Sequence, residues 1–280
     1  MMFWEGAETF CMTTLTLKSQ PAVPLEAGAI TPDCFLGKSN AEIAALPVTY
    51  GNQSAALGDW FTVTGDGAPE IVLEGDLSRA KQIGVGMTQG KITIHGNAGM
   101  HLGATMRGGE IAVHGNAGDW AGAEMQGGLI RIMGNAGHGL GGAYRGSRRG
   151  MKKGTIIVTG NAGNELGATM RRGLIAVLGN VGDFCGAFMI AGSILVFGQL
   201  GARAGAGLKR GTIVAFQPPE LLPTFRAACT YQPIFLRMLL EQLHNLGVEM
   251  AEDKVEGHFR RYVGDMNALG KGEILVWEGK

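Results

Sequence analysis

The fold of this chain is decided by two consecutive 19-residue segments, KITIHGNAGMHLGATMRGG (91–109) and EIAVHGNAGDWAGAEMQGG (110–128). Further segments repeat the pattern. The first glycine of each G-N-A-G, or of its variants, falls at Gly96, Gly115, Gly134, Gly160, Gly179 and Gly198. The spacing is 19 residues except for one step of 26, where seven residues are inserted near 145–153. A fixed period of this kind is the sequence signature of a repeat architecture.

Each repeat contains two runs in which apolar residues alternate with other residues. In the first repeat these are Ile92 and Ile94, then Leu102, Ala104 and Met106. Alternation with period two is typical of strands, so both runs are predicted to be strands, with like side chains stacked about 4.8 Å apart. The sequence therefore predicts an all-β core built as a right-handed parallel β-helix with coils of about 19 residues.

Glycine and asparagine dominate the predicted corners because both tolerate positive φ better than other residues. One corner position carries an amide in every repeat, which predicts a ladder of stacked amides. Its members are Asn97, Asn116, Asn135, Asn161, Asn180 and Gln199.

The repeat divides the chain into three predicted parts. Residues 1–70 form an irregular and strand-containing N-terminal segment, 71–216 the β-helix, and 217–280 a C-terminal cap of helix and strand. The stretch 234–246 has helical spacing and is followed by Gly247 as C-cap, so it is predicted to pack as a cap or against a partner. Strand-like sequence begins at Thr13, so Met1 and Met12 both remain candidates for the first residue.

Composition excludes several classes of function. Lysine plus arginine and aspartate plus glutamate are both 24, so no overall charge favours nucleic acid or an anionic membrane. The stretch 184–202 has the length of a membrane helix, but it keeps the glycine spacing of the repeat, and no membrane span is predicted.

No basic region precedes an apolar run at the N-terminus, so no signal peptide is expected. A cytoplasmic location is predicted because no C-x-x-C pair occurs among the scattered cysteines, which are Cys11, Cys34, Cys185 and Cys229.

The sequence offers little sign of catalysis or metal binding. The glycine-rich segments 84–90 and 205–211 resemble phosphate-binding loops, but neither opens a predicted helix. His95 and His114 are expected to point outward about 5 Å apart, with no carboxylate or cysteine in their column. They are interpreted as a solvated pair, and a free-standing enzyme that uses this face is the competing hypothesis.

Positive charge is concentrated at one edge of the repeat, at the two positions before the closing glycine of several coils. Stacked cations repel one another, so this edge is either solvated or faces acid on a partner or ligand. Five coil steps would span roughly 24 Å. The insertion adds Arg145, Arg148 and Arg149. The edge itself, called here the basic ladder, consists of Arg107, Lys152, Lys153, Arg171, Arg172, Lys209 and Arg210.

The G-N-A-G coils, together with a terminal Y-x-G-D-x₄-G-K-G-E-I pattern from Tyr262 to Ile274, resemble the C subunit of formylmethanofuran dehydrogenase and of the related bacterial formyltransferase/hydrolase complex. The similarity extends from about Leu46 to Trp277. The glycine repeat alone is also similar to the C-terminal domain of the glutamate synthase large subunit.

The resemblance implies a non-catalytic scaffold subunit in one-carbon metabolism that uses tetrahydromethanopterin and a methanofuran-type carrier. It implies formyltransferase and amidohydrolase-like partners that hold the catalytic residues, and no cofactor bound directly by this chain. The carrier's acidic tail is a candidate ligand of the basic ladder. A charged fraction of 17% favours the bacterial complex. The tungsten or molybdenum dehydrogenase and a glutamate-synthase-like accessory domain are the alternatives.

Overall fold

The computed structural model describes residues 12–65, 67–249, 254 and 256–279. Met1 and Cys11 lie outside these residues. Four helices are described, namely α1 (Pro32–Phe35), α2 (Asn40–Ala44), α3 (Leu57–Trp60) and α4 (Ile234–Asn245).

Most regular structure in the described residues is strand. The first seven strands are β1 (Thr13–Leu17), β2 (Leu25–Glu26), β3 (Pro47–Tyr50), β4 (Gln53–Ala56), β5 (Phe61–Thr64), β6 (Glu70–Glu74) and β7 (Ala80–Lys81). The repeats follow with β8 (Lys91–His95), β9 (Glu110–Val113), β10 (Leu129–Ile132), β11 (Thr155–Val158), β12 (Leu174–Val177), β13 (Ser193–Val196) and β14 (Thr212–Ala215). The last strands are β15 (Arg226–Tyr231), β16 (His258–Gly264) and β17 (Gly272–Gly279).

Within the described part of the chain, thirteen strands form one large sheet in the order β15-β16-β17-β14-β13-β12-β11-β10-β9-β8-β6-β1-β5. All neighbouring pairs are parallel in the series β1, β6, β8, β9, β10, β11, β12, β13, β14 and β17. Pairing is antiparallel only at the ends, between β1 and β5 and among β15, β16 and β17. A second sheet has the order β4-β3-β2-β7. The expected all-β core is confirmed.

The first apolar run of each repeat forms a strand, as predicted. Ile130 is paired directly with Ile156, and Ile156 with Ile175, so equivalent side chains stack from coil to coil. All three are fully buried. Burying one isoleucine stabilises a fold by about 1.5–3 kcal/mol, so this column is a main source of stability.

The second run is not a strand, and that prediction is wrong. Leu102, Ala104 and Met106 are buried in alternation as expected, but the backbone forms successive turns. Positive φ recurs at every second residue, as at Gly103 (58°) and Thr105 (57°). The N–H of Gly103 bonds the preceding coil and that of Thr105 the following coil. Turns of this kind alternate inward and outward side chains just as a strand does, so the burial pattern cannot separate the two.

The asparagine column links neighbouring coils through the backbone. The side-chain oxygen of Asn116 accepts a 2.7 Å hydrogen bond from the N–H of Asn135, and the pattern continues to Gln199. A second ladder, not predicted from the sequence, runs three residues further along. There Asp119 Oδ1 accepts from the N–H of His138 at 2.7 Å, and His138 Nδ1 accepts from that of Asn164 at 2.9 Å. Mixed residue types conceal this second ladder in the sequence.

The two ends of the stack are continued by strands. At the N-terminal end β1 and β5 extend the sheet, and at the C-terminal end β17 pairs with β14. Helix α4 does not cover the open end as a cap would. Its buried residues Leu236, Leu240 and Leu243 pack against outward side chains of β11 to β14, such as Leu195. The outward side chains of these strands are unusually apolar for the outer face of a sheet, which is why α4 packs over them.

The terminal motif locks β17 onto the last coil. A Cβ at Gly272 would lie 2.4 Å from Leu208, so only glycine fits. The carboxylate of Glu273 bonds Thr212 and Arg261, both at 2.7 Å. Asp265 is 5% exposed and accepts from the N–H groups of Gly207 (3.0 Å) and Asn267 (2.9 Å). The motif that carries the family resemblance is therefore explained by structure.

Candidate functional site

The turn run of each coil displays its outward side chains on one side of the stack, called here the turn face. Large residues such as Trp120 and Phe188 have positive φ there, 57° and 55°. This conformation costs a residue with a Cβ about 1 kcal/mol. The turn face therefore keeps bulky side chains at positions where glycine would be less strained.

The basic ladder lies beside the turn face, directly after the buried methionines. Backbone hydrogen bonds fix the register, since the N–H of Lys152 bonds Met125 O and that of Arg171 bonds Met151 O. The predicted cations thus occupy two adjacent columns. Arg107, Lys152, Arg171 and Lys209 share one column, and Lys153, Arg172 and Arg210 share the next.

The ladder is not continuous along the stack. Gln126 separates Arg107 from Lys152, and Ile190 separates Arg171 from Lys209. These neutral residues reduce the repulsion that an unbroken row of cations would suffer. Only Lys152 and Arg171, and their neighbours in the second column, are stacked in consecutive coils.

A concavity of about 450 Å³ lies where the ladder meets the turn face. Arg148, Arg171 and Lys209 surround it, and Phe188 and Ile190 supply apolar surface. Phe188 is 59% exposed. The Nε atom of Arg171 is buried and has no hydrogen-bond partner. The insertion contributes Arg148, which the basic ladder did not include.

No acidic side chain is among the described residues that line this concavity. The ion pairs found among the described residues are Lys91–Glu70, Arg131–Glu110, Arg260–Glu278 and Arg261–Glu273, and none involves the ladder. Arginine binds carboxylates through charge-assisted hydrogen bonds. The arrangement can therefore hold an anionic ligand that also has an apolar portion.

The histidine pair has the predicted geometry. The rings of His95 and His114 are stacked with centroids 4.7 Å apart. The expectation that no carboxylate joins their column is wrong, because Glu74 is the strand partner of His95. Glu74 precedes His95 by 21 residues, so the 19-residue period conceals it. Even so, the described residues contain no group of three or more histidine, cysteine, aspartate or glutamate side chains placed to hold a metal.

The uncharged stretch 184–202 folds as one more turn run followed by β13. Among the described residues, no helix combines the length and apolar character needed to cross a membrane. The glycine-rich segments 84–90 and 205–211 are also turn runs, and strands β8 and β14 follow them. Their resemblance to phosphate-binding loops comes from the repeat.

The comparisons with known proteins agree with this architecture. A family model described as the GXGXG motif matches residues 72–230. The C subunit of the formyltransferase/hydrolase complex Fhc from Methylorubrum extorquens is 50% identical over 265 residues, which cover 95% of this chain and 99% of that protein. This chain belongs to the family of Fhc C subunits.

A solved structure supports membership of the Fhc C-subunit family. A chain in the crystal structure of the M. extorquens formyltransferase/hydrolase complex with methylofuran matches with a TM-score of 0.88 and 38% identity. The match covers 94% of this chain and 98% of that one. The C subunit of the tungsten-containing formylmethanofuran dehydrogenase 2 from Methanothermobacter marburgensis is 45% identical, but the matched stretch is only 31% of this chain and 34% of that protein.

Proposed function

We propose that this chain is a non-catalytic structural subunit of a formyltransferase/hydrolase complex in one-carbon metabolism that uses tetrahydromethanopterin and a methanofuran-type carrier. The similarity to the Fhc C subunit over nearly the whole chain supports this role. The expected partners are formyltransferase and amidohydrolase-like subunits that supply the catalytic residues and metals. The proposal includes a cytoplasmic location and the three-part division at residues 70 and 216.

The same proposal assigns the stack as a right-handed parallel β-helix. Coils of 19 residues in direct register support it, as do the two ladders that join one coil to the next. A right-handed path is expected for successive parallel strands joined by crossovers. A rigid stack of this kind offers long parallel columns on which partner subunits can be arranged.

The basic ladder and its concavity would contact the acidic tail of the methanofuran-type carrier. The observation that carries this assignment is the concavity lined by Arg148, Arg171 and Lys209. No acidic side chain is among its described lining residues, and one of the three cations, Arg171, has a buried guanidinium nitrogen without a hydrogen-bond partner. The solved complex that contains a similar chain holds methylofuran. An extended tail of about seven residues would follow the whole length of the ladder, roughly 24 Å.

The assignment is tested in the assembled complex with two matched variants. Arg171→Ala with Lys209→Ala removes two cations from the concavity. Arg172→Ala with Arg210→Ala removes the same charge from the exposed second column, outside the concavity. Each charged hydrogen bond is worth about 1.5–3 kcal/mol. The first variant should therefore retain at least tenfold less carrier after purification, and more carrier should be lost at higher salt.

The outcomes separate the alternatives. Carrier measured by mass spectrometry should fall in the first variant while size-exclusion chromatography shows an intact complex. Loss of the complex would instead identify the ladder as an interface between subunits. Unchanged carrier and unchanged assembly in both variants would leave the ladder as a solvated edge.

A further inference from the structure

Three aromatic side chains form a cluster on the turn face, in coils that precede those of the concavity. The rings of His101 and Trp120 are stacked with centroids 5.6 Å apart and an angle of 9°. The ring of Tyr144 is tilted against both, at 5.4 Å and 6.4 Å. A 3.0 Å hydrogen bond joins the Tyr144 hydroxyl to His101 Nδ1. These three residues are called the aromatic cluster.

The seven-residue insertion builds this cluster. With an unbroken 19-residue period, Tyr144 would follow Met125 in the buried methionine column. The structure gives that place to Met151, which is fully buried, and the N–H of Lys152 bonds Met125 O. Tyr144 is thereby released from the interior and lies across His101 and Trp120.

A notch adjoins the cluster because the next residue in the column of Trp120 is Gly139. A Cβ at Gly139 would lie 2.7 Å from Trp120 Cδ1, so no other side chain fits beneath the indole. The resulting concavity has a volume of about 290 Å³. Its rim carries Asp119, Glu165 and Arg145, together with His138 and Asn164.

Among the described residues that line the notch, acidic side chains outnumber basic ones, and the acidic side chains form no ion pair. Neither Asp119 nor Glu165 takes part in any ion pair found in the described residues. Asp119 Oδ1 is used by the second ladder, which leaves its other oxygen free. Glu124 adds a third carboxylate, 3.4 Å from the N–H of Tyr144. Arg145 is the cation that lines this notch.

The rings themselves are uncharged at neutral pH. Burial, aided by Lys81, lowers the pKa of His101, and burial with Glu124 raises the pKa of Tyr144. A neutral aromatic face beside unpaired carboxylates attracts a cation through both the ring quadrupole and charge. Tryptophan and tyrosine in such settings are the residue types that contribute most to protein interfaces.

We propose that the aromatic cluster and its notch bind a lysine or arginine side chain of a partner subunit. The cation lies against Trp120 and is held by Asp119 and Glu165. A cluster that served only to anchor the insertion would not need two carboxylates without an ion-pair partner beside its rings. The inference rests on the proposed function, because it requires that the chain assembles with other subunits.

The test uses the co-expressed complex, purified through a tag on a partner subunit and diluted for mass photometry. Trp120→Ala removes the stacking surface and should raise the dissociation constant of this subunit at least tenfold. Asp119→Asn with Glu165→Gln keeps the rings and the ladder oxygen, and should raise it at least fivefold with a weaker dependence on salt. The matched control is Gln82→Ala, at the same column position with φ of 66°, which should stay within twofold of wild type.

Each result decides the inference. If the carboxylate variant dissociates like wild type, the cation site is overturned even where Trp120→Ala has disturbed folding. If both variants assemble normally but retain less carrier, the cluster is a small-molecule site and the inference is overturned. If the wild-type chain itself fails to co-purify with its partners, the proposed function fails first, a result seen before any variant is compared.

Discussion

The side-chain oxygen of Asn161 accepts a 2.7 Å hydrogen bond from the backbone N–H of Asn180, one coil further along the chain. This bond serves a corner N–H that no strand partner satisfies, and the same contact recurs along the column. An unsatisfied N–H costs more than the hydrogen bond gains. The asparagine column therefore joins consecutive coils at a corner, outside the strands that pair in the sheet.

Replacing Asn161 with alanine should lower the free energy of unfolding by about 1–3 kcal/mol, because the N–H of Asn180 loses its acceptor. Asn161→Asp keeps an oxygen at the same place and should cost less than the alanine variant. Chemical denaturation of the two variants measures the difference. Equal stability of the alanine variant and wild type would mean that water replaces the amide without cost.

The column of isoleucines makes a stronger prediction. Ile156 is fully buried between Ile130 and Ile175, so Ile156→Asp would bury an unpaired charge and prevent folding. Met133→Asp is the control, since Met133 is 48% exposed and follows β10. Circular dichroism and solubility should be lost only in the first variant. A soluble Ile156→Asp protein with an unchanged spectrum would contradict the stacking register.

The sequence predicts the features that depend on the 19-residue period and fails where other spacings or distant surfaces matter. The Ile156 column and the asparagine ladder follow directly from the period. The place of Glu74 beside His95 is not predicted, because Glu74 lies 21 residues before His95 and the period is 19. The turn run resembles a strand in sequence because Leu102 and Met106 are buried in alternation in either conformation.

Tertiary packing decides the remaining features. Helical spacing predicts α4 at 234–246, and the helix is observed at Ile234–Asn245, but its position on the outer face depends on residues such as Leu195, about forty positions earlier. Within the basic ladder, the charges of Arg171 and Lys209 are evident from the sequence. The concavity between them is not, because it also requires Phe188 from the turn face and Arg148 from the insertion.

The apolar surface that needs a partner is smaller than the sequence predicts. Alternation within 184–202 predicts one outward patch of Phe184, Phe188 and Phe197, but Phe197 is 9% exposed and stacked on Phe216 at 4.3 Å. That part of the prediction is wrong because Phe197 is buried in the cluster that includes the apolar side chains of α4, and Lys254 lies over its ring. Phe188 remains 59% exposed.

The isolated chain should therefore associate with itself through Phe188, and co-expression with partner subunits should suppress the association. Phe188→Ser should reduce self-association without lowering the melting temperature. Phe197→Ser should instead destabilise the fold by about 3 kcal/mol, since it removes a buried aromatic side chain. Light scattering and thermal unfolding measure the two effects. A wild-type chain that is monomeric and stable alone would contradict the first expectation.

The carboxylate of Asp265 should make the stability of the C-terminal end of the stack depend on pH. Burial alone would raise its pKa, but hydrogen bonds, chiefly from the N–H groups of Gly207 and Asn267, hold the pKa of Asp265 below the ordinary value of 3.8. A carboxyl whose pKa is lower in the folded chain binds protons more weakly there than when unfolded. Its contribution to stability is complete above the unfolded pKa and is lost as the pH falls through the folded pKa.

Asp265→Asn should thus be less stable than wild type by about 1–3 kcal/mol at pH 7 and pH 5. The difference should shrink below about pH 4, as the wild-type carboxyl becomes protonated. The exposed Asp183 provides the control, because asparagine already occupies the equivalent ladder position at Asn164 and can accept the same backbone bond. Asp183→Asn should change stability little at any of these pH values. Urea unfolding at pH 7, 5 and 3.5 measures each difference, and a gap for Asp265→Asn that stays constant to pH 3.5 would show that its charge does not stabilise the closing strand.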